Sequence, residues 1–395
     1  MNFSKKLFII AFTMIVTANV FAKEEEKYND QSQEVANCDP CVNETKSEFD
    51  RGYPICEDTF SKGYNAAGRI DVCGKIDAFV TASFIYWEML SDQIDLGTLE
   101  SNVSSNDRTL QILKFDEDYE PGFKVGLGFH SKHDNWDIFA EYTRLHGNET
   151  TSIDINLQDT NSNFSGFWLI DHLIEASAER FTSPIVSSWK MYLDKIDLEI
   201  AKSYYIGTNL IFEPFIGGSA HWLNQNYRQN YDFITIIGLP DNITSNVLLK
   251  NDSWAIGPKF GLNMNWFFFK NFRLFGKGSI DIMFAQNRVS GTHNVVGSLG
   301  GLPAILNPNL INDKKSIVRD VEDFSIGLGW GSYFRSDKCH FDLAVSYEIQ
   351  RYSHTNYMST YDQTLASSQF RDFAKQENPG DLFLHGLTVS ARFDF

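Results

Sequence analysis

Leu387-Thr388-Val389-Ser390-Ala391-Arg392-Phe393-Asp394-Phe395 ends the chain as an alternating run, apolar at each odd position and small or polar at each even one. Side chains point to opposite faces of a strand in turn, so this segment has one greasy face and one wet face. A half-wet strand that finishes on an aromatic reads as the terminal strand of a bacterial outer-membrane β-barrel. In that class the aromatic end, here Phe393 and Phe395, is the signal taken up by the barrel assembly machinery.

The other end of the chain agrees with export. Lys5 and Lys6 precede the apolar run Leu7–Val16, and Val20-Phe21-Ala22 suits cleavage after Ala22, so residues 1–22 are expected to be a signal peptide. No stretch reaches the ~18–20 unbroken apolar residues of a membrane helix. The chain carries a formal charge of -17, and loss of Lys5 and Lys6 with the signal takes the mature form to -19. Such acidity excludes nucleic acid as a partner, because no basic patch is present to neutralise phosphates. The content of 33 Phe, 16 Tyr and 8 Trp is high for a chain of slightly negative mean hydropathy. A barrel reconciles the two by showing aromatics to lipid and polar side chains to its lumen.

From residue 75 a two-residue period runs through ten segments. They lie at Ile76–Tyr86, Phe123–His130, Trp136–Tyr142, Trp189–Ile206, Phe212–Tyr227, Trp254–Phe268, Leu274–Phe284, Phe324–Trp330, Phe341–Ile349 and Leu387–Phe395. The sixth is the cleanest: Phe260, Leu262 and Met264 face one way, and Lys259, Gly261 and Asn263 the other. Short links near 131–135, 207–209, 270–271 and 336–338 alternate with long ones near 90–119, 147–187, 233–251, 291–320 and 355–381. Short periplasmic turns and long extracellular loops are the habit of outer-membrane barrels. The expected fold is therefore all-β: an antiparallel transmembrane barrel of about ten strands over residues 75–395, with both termini in the periplasm. Residues 147–187 have room for a further strand pair or for a helix around 167–180, and added strands would raise the count to twelve or more within a range of 10–14. Pro258 in mid-strand removes a ladder donor and predicts a bulge. Trp87, Trp136, Trp189, Trp222, Trp254 and Trp330 fall near strand ends, where headgroup girdles are expected.

Residues 23–74 read as an acidic periplasmic segment that carries Cys38, Cys41, Cys56 and Cys73; Cys339 follows a tight turn. All five thiols are expected in an oxidising space, and their odd number leaves one free or bonded to another chain. Disulfides or crosslinks to other envelope proteins suit this placement better than a metal or redox site. Cys38-Asp39-Pro40-Cys41 has no helix frame, and no histidine stands near it.

Three stretches resemble the opening strands of the Legionella-type major outer membrane protein family: Phe84-Ile85-Tyr86-Trp87-Glu88, Pro121–Phe129 and Trp136–Thr143. Glu213–Gly218, Gly257–Phe268 and the closing Phe395 are in keeping with it. The resemblance implies a pore-forming outer-membrane protein, disulfide-linked in some members. It implies no catalytic residues and does not account for the cysteine-bearing segment.

The expected lumen carries Lys124, Glu141, Lys195, Asp197, Glu199, Lys259, Arg273, Lys277, Asp281, Asp342, Glu348 and Arg392. Charges within a membrane must face water or one another. Two readings follow: a pore whose lining sets ion selectivity, or a salt-bridged plug. About eight strands give a filled interior and 16–18 an open channel, so ten strands sit near the closed end. Size leaves pore and plug open, and the resemblance implies the pore. His130-x-x-His133 and Asp171-His172 carry no accompanying nucleophile or ligand pattern. Neither enzymatic activity, a metal nor another cofactor is expected. The expected surroundings are outer-membrane lipid and lipopolysaccharide, with a homo-oligomer or disulfide-linked envelope proteins as further partners. The reading is of a porin-like protein passing small hydrophilic solutes, or else a structural protein or adhesin working through its loops.

Overall fold

The structure, a computed structural model, describes Val72 and residues 77–395, other than 102–108, 117, 132–134, 155–162, 167–177, 207–208, 236–241, 270, 300–301, 335–337, 359–361, 366–371 and 376–378. The expected signal peptide, most of the segment 23–74, and Cys38, Cys41, Cys56 and Cys73 lie outside the described residues.

Ten long strands follow one another: β1 (Ala78–Ser91), β2 (Tyr119–His130), β3 (Trp136–Ile153), β4 (Ile185–Lys202), β5 (Leu210–Thr235), β6 (Asn242–Phe269), β7 (Phe272–Leu299), β8 (Leu302–Phe334), β9 (Cys339–Asn356) and β10 (Gly380–Asp394). Each pairs antiparallel with its sequence neighbours, and β10 pairs with β1, so the sheet closes. All ten periodic segments are strands of this barrel. The seam is locked by reciprocal bonds between Ala78 and Phe395, at 3.2 and 2.9 Å. Closure leaves no open edge, as a strand-built membrane span requires.

The register gives the tilt. From Met89, paired residues lead through Leu384, Gln350, Asp323, Ser279, Gly261, Phe215, Ala201 and Asp137 to His130, which bonds back to β1 at Asp77. One circuit thus shifts by the twelve residues from Asp77 to Met89. With a rise of about 3.3 Å per residue and a spacing of about 4.8 Å, ten strands tilt by about 40°.

The short periplasmic turns place Asn135 and Asn271 at φ 55° and 68°, a left-handed conformation that asparagine tolerates better than most residues. The opposite end differs from expectation. The segments 233–251 and 291–320 are largely continuous ribbon, since β5–β6 stay paired to Ile234↔Asn242 and β7–β8 to Leu299↔Leu302. Beyond the lipid the outward side chains turn polar, while Phe233, Ile243, Val247 and Leu249 face inward and are buried, so the apolar face changes sides while the pairing persists. Within 147–187, Ala178–Phe181 pairs with the end of β5, and Asn163–Gly166 joins Gly97–Ser101 and Thr109–Leu113 in a small separate sheet. Neither adds a barrel strand.

The bulge expected at Pro258 is not formed. Ile256↔Phe284 and Lys259↔Asp281 keep one register, and the β6–β7 ladder resumes past the proline without an extra residue.

The outer face is apolar, as the period predicts. Phe260, Trp266 and Phe268 are 45–48% exposed, whereas Lys259 is 1% exposed. The outward apolar run stops early on some strands, at Glu88 above Val80–Tyr86 and at Arg144 above Trp136–Tyr142. On β6 it extends from Phe268 up to Trp254, and on β7 from Phe272 to Phe284. Trp136, Trp222, Trp254 and Trp330 belong to this outer surface. Trp87 and Trp189 do not: both are buried inside the barrel. The parity of β1, with Val80–Tyr86 outward, turns Trp87 inward; its place near a strand end is what misassigned it to the girdle.

Candidate functional site

The barrel interior holds two stacked layers. The lower, nearer the periplasmic turns, is ionic. Lys195 on β4 lies 3.4 Å from Asp197 and 3.5 Å from Asp281 on β7. Lys259 on β6 lies 3.2 Å from Asp197 and 3.5 Å from Glu199. Lys277 reaches Glu199 at 2.7 Å, and Lys124 reaches Glu348 at 2.6 Å. Arg273 pairs with Asp342 through its two terminal guanidinium nitrogens and donates from Nε to Asn265 at 3.1 Å. Arg392 donates to Asp394 at 2.6 Å and to His130 Nε2 at 2.7 Å, with its guanidinium over the Phe79 ring. All twelve charged residues expected in the lumen project inward. Glu141 sits between the Lys124 and Lys277 charges.

At the periplasmic mouth a cavity of about 100 Å³ is lined by His130, Asp137, Glu213, Arg273 and Arg392, among others. His130 Nδ1 pairs with the Asp137 carboxylate, and His340 Nδ1 lies 3.0 Å from Asp394. Glu213, Asp323, His340 and Asp394 were missed as lumen residues, although each has the inward parity of its strand. Phe393 and Phe395 pack against each other at this end, and Phe393 against Phe334. Cys339 is buried and forms no disulfide among the described residues; its expected partners lie outside them, as does His133.

The upper layer is mostly apolar. Trp87, Met89, Trp189, Leu223, Tyr227 and Tyr352 project inward from the wall and are buried. The first extracellular segment folds down onto them: Ile94, Leu96, Leu113 and Phe115 join the same cluster. Phe115 meets Tyr227 edge-on at 6.2 Å. The segment is anchored by Asn356, whose Nδ2 donates to the Asp92 and Gln93 carbonyls, and by the Asp92 N–H, 2.8 Å from the Asp381 carbonyl. Nothing in the polarity of the inner face signals this cap, since its residues lie in a connection read as an exterior loop.

Ten closed strands with charges inward and an aromatic collar outward are built to span a membrane. The family model described as the Legionella pneumophila major outer membrane protein precursor matches residues 73–395. The chain belongs to the Legionella major outer membrane protein family. Its place is therefore the bacterial outer membrane. Among solved structures, this family member aligns with the outer membrane protease OmpT from Escherichia coli at 8% identity, covering 83% of this chain and 100% of that one, with a TM-score of 0.41. It also aligns with a Pseudomonas aeruginosa FadL homologue at 8% identity, covering 81% and 90%, with a TM-score of 0.23. A TodX monoaromatic hydrocarbon channel mutant aligns at 7% identity over 81% and 91%, again with a TM-score of 0.23. No protein of curated function matches the chain.

Proposed function

We propose that this family member lets small hydrophilic solutes diffuse across the outer membrane, and that the conformation described is its closed state. The chemistry of the lower lumen carries the reading. Buried ion pairs add little net stability over apolar side chains of equal volume. The upper half of the same barrel is filled apolarly, so filling alone gives no reason for the lower half to hold Lys124, Lys195, Lys259 and Lys277 against their acids. A charged wall is what a solute path needs. Lys277 and Arg392 keep 25% and 24% of their side chains exposed, enough to meet an ion entering from the periplasm. The proposal includes no catalytic step and no cofactor. It places lipid and lipopolysaccharide around the collar and leaves homo-oligomers or disulfide-linked envelope proteins as partners.

One observation favours a second reading, a permanently closed structural protein or adhesin: the apolar cluster and its cap cross the lumen above the charges. Planar-bilayer recording of the purified, refolded protein decides between them. A channel gives discrete steps, and Lys259→Met, which leaves Asp197 with Lys195 alone and Glu199 with Lys277 alone, shifts its reversal potential toward cation preference. Absence of steps in the parent together with mere loss of heat resistance in the variant favours the closed scaffold.

A further inference from the structure

Between the ionic layer and the cap lies a ring of buried polar side chains that neither accounts for. Gln225 and Gln229 come from β5, Asn251 from β6, Asn287 from β7 and Arg319 from β8; with His221 all are 0% exposed. Their known bonds use only one side of each group. Gln225 and Asn251 both donate to the Thr355 carbonyl, at 3.1 and 2.6 Å. Gln229 donates to Ser187 at 3.1 Å and to the Leu96 carbonyl of the cap at 3.4 Å. Arg319 donates to His221 Nε2 at 3.1 Å, and to Asn287 Oδ1 and the His354 carbonyl at 3.0 Å each.

What is left over is matched. Three amide oxygens, those of Gln225, Gln229 and Asn251, have no donor among the described residues. Three N–H groups, at Asn287 Nδ2, His221 Nδ1 and Arg319 Nε, have no acceptor among them. Arg319 donates to His221 Nε2, which puts the imidazole proton on Nδ1 and makes it a donor. Buried groups left unsatisfied are costly, and a native structure keeps few without a reason.

We propose that this ring binds a neutral polyhydroxylated solute of the carbohydrate class, which enters from the extracellular side and displaces the cap. The proposal rests on the diffusion reading above and narrows its solute. A hydroxyl both donates and accepts, so one sugar face satisfies amide oxygens and N–H groups together. A carboxylate has nothing to donate to the three oxygens, and an ammonium is repelled by Arg319. Rings stand ready for a sugar's apolar face: Tyr352 meets His221 edge-on at 5.2 Å, and Tyr227 lies under Phe115. The Leu96 carbonyl already takes the Gln229 amide proton that a solute hydroxyl would take.

The test titrates the refolded full-length barrel with maltotriose, and with succinate and glucosamine as charged controls, by calorimetry and by block of single-channel current. Saturable binding of maltotriose alone is expected. Replacement Asn251→Leu should weaken it by about tenfold while heat resistance changes little, since Gln225 still donates to the Thr355 carbonyl and the unpartnered Asn251 oxygen is removed. A purely structural ring would instead lose heat resistance. Leu96→Ala, which loosens the cap, should tighten binding, because less closed state must be displaced. No saturable binding in either the parent or Leu96→Ala, or equal binding of succinate, overturns the site and leaves water as its occupant. Current steps without sugar block remove the site and keep the channel; sugar binding without steps keeps the site and removes the channel.

Discussion

Arg273 on β7 crosses the inner face of β8 to grip Asp342 on β9, with Nη2 2.9 Å from Oδ1. It passes over Gly329, where a Cβ would lie 2.8 Å from the guanidinium carbon. The glycine is therefore the floor under an ion pair. Gly329→Val should displace Arg273 and cost about 2 kcal/mol, below the roughly 3–5 kcal/mol of breaking a fully buried pair because Arg273 keeps some water. Urea unfolding in detergent measures this. In an Arg273→Gln background the same valine should cost clearly less, and equal costs in both backgrounds would show that the glycine does not serve the pair.

The tryptophans offer a direct check on which wall faces lipid. In variants that keep one tryptophan each, brominated lipid should quench Trp136 and Trp266 strongly and leave Trp87 and Trp189 nearly untouched, since the latter two point into the closed interior. Comparable quenching of Trp87 and Trp136 would contradict this division between wall and interior.

Phe395 closes the seam through its two backbone bonds with Ala78 and adds its ring to Phe393. Deleting it should block insertion and leave degraded or aggregated protein in the periplasm. Surface labelling of whole cells reads this out, and normal surface levels would remove the assembly role.

The cap should respond to acid. Burial, with the neighbouring Asp381 carboxylate, holds the Asp92 carboxyl above its usual range. The folded form thus binds its proton more tightly than the unfolded form. Its contribution is fully present below the ordinary carboxylate value near 3.8 and is lost as pH rises through the raised one. Protease nicking of the segment after Ser91 should be slower at pH 4 than at pH 7, and Asp92→Asn should abolish most of that difference. An identical pH dependence in the asparagine variant would assign the effect to other groups.

Much of the barrel was legible because lipid imposes a rule on each strand separately. Phe260, Leu262 and Met264 had to share a face whatever the neighbours were, and the same rule brought all twelve expected charges inside. Pairing was not legible. That Lys259 meets Asp197 depends on the registers of β6 with β5 and of β5 with β4, which one strand does not encode. The apolar filling was hidden for a different reason. Trp87 and Met89 are apolar at inward parity, where polar groups were expected, and the cap residues Leu96 and Phe115 come from a connection with no strand period of its own. Arg319 escaped notice because the upper part of β8 reads as loop once lipid no longer enforces alternation.

The uneven outer collar has a mechanical consequence. Its greasy band is about twice as tall on β6, from Trp254 to Phe268, as on β1, from Val80 to Tyr86. A flat bilayer of uniform thickness fits only one of these heights while the barrel stands upright. Tilting and local thickening are the inexpensive responses to such mismatch. Whether it leans or the lipid beside β6 and β7 thickens, the bilayer around the molecule is uneven about its axis, with Trp222, Trp254 and Phe284 marking its deep side.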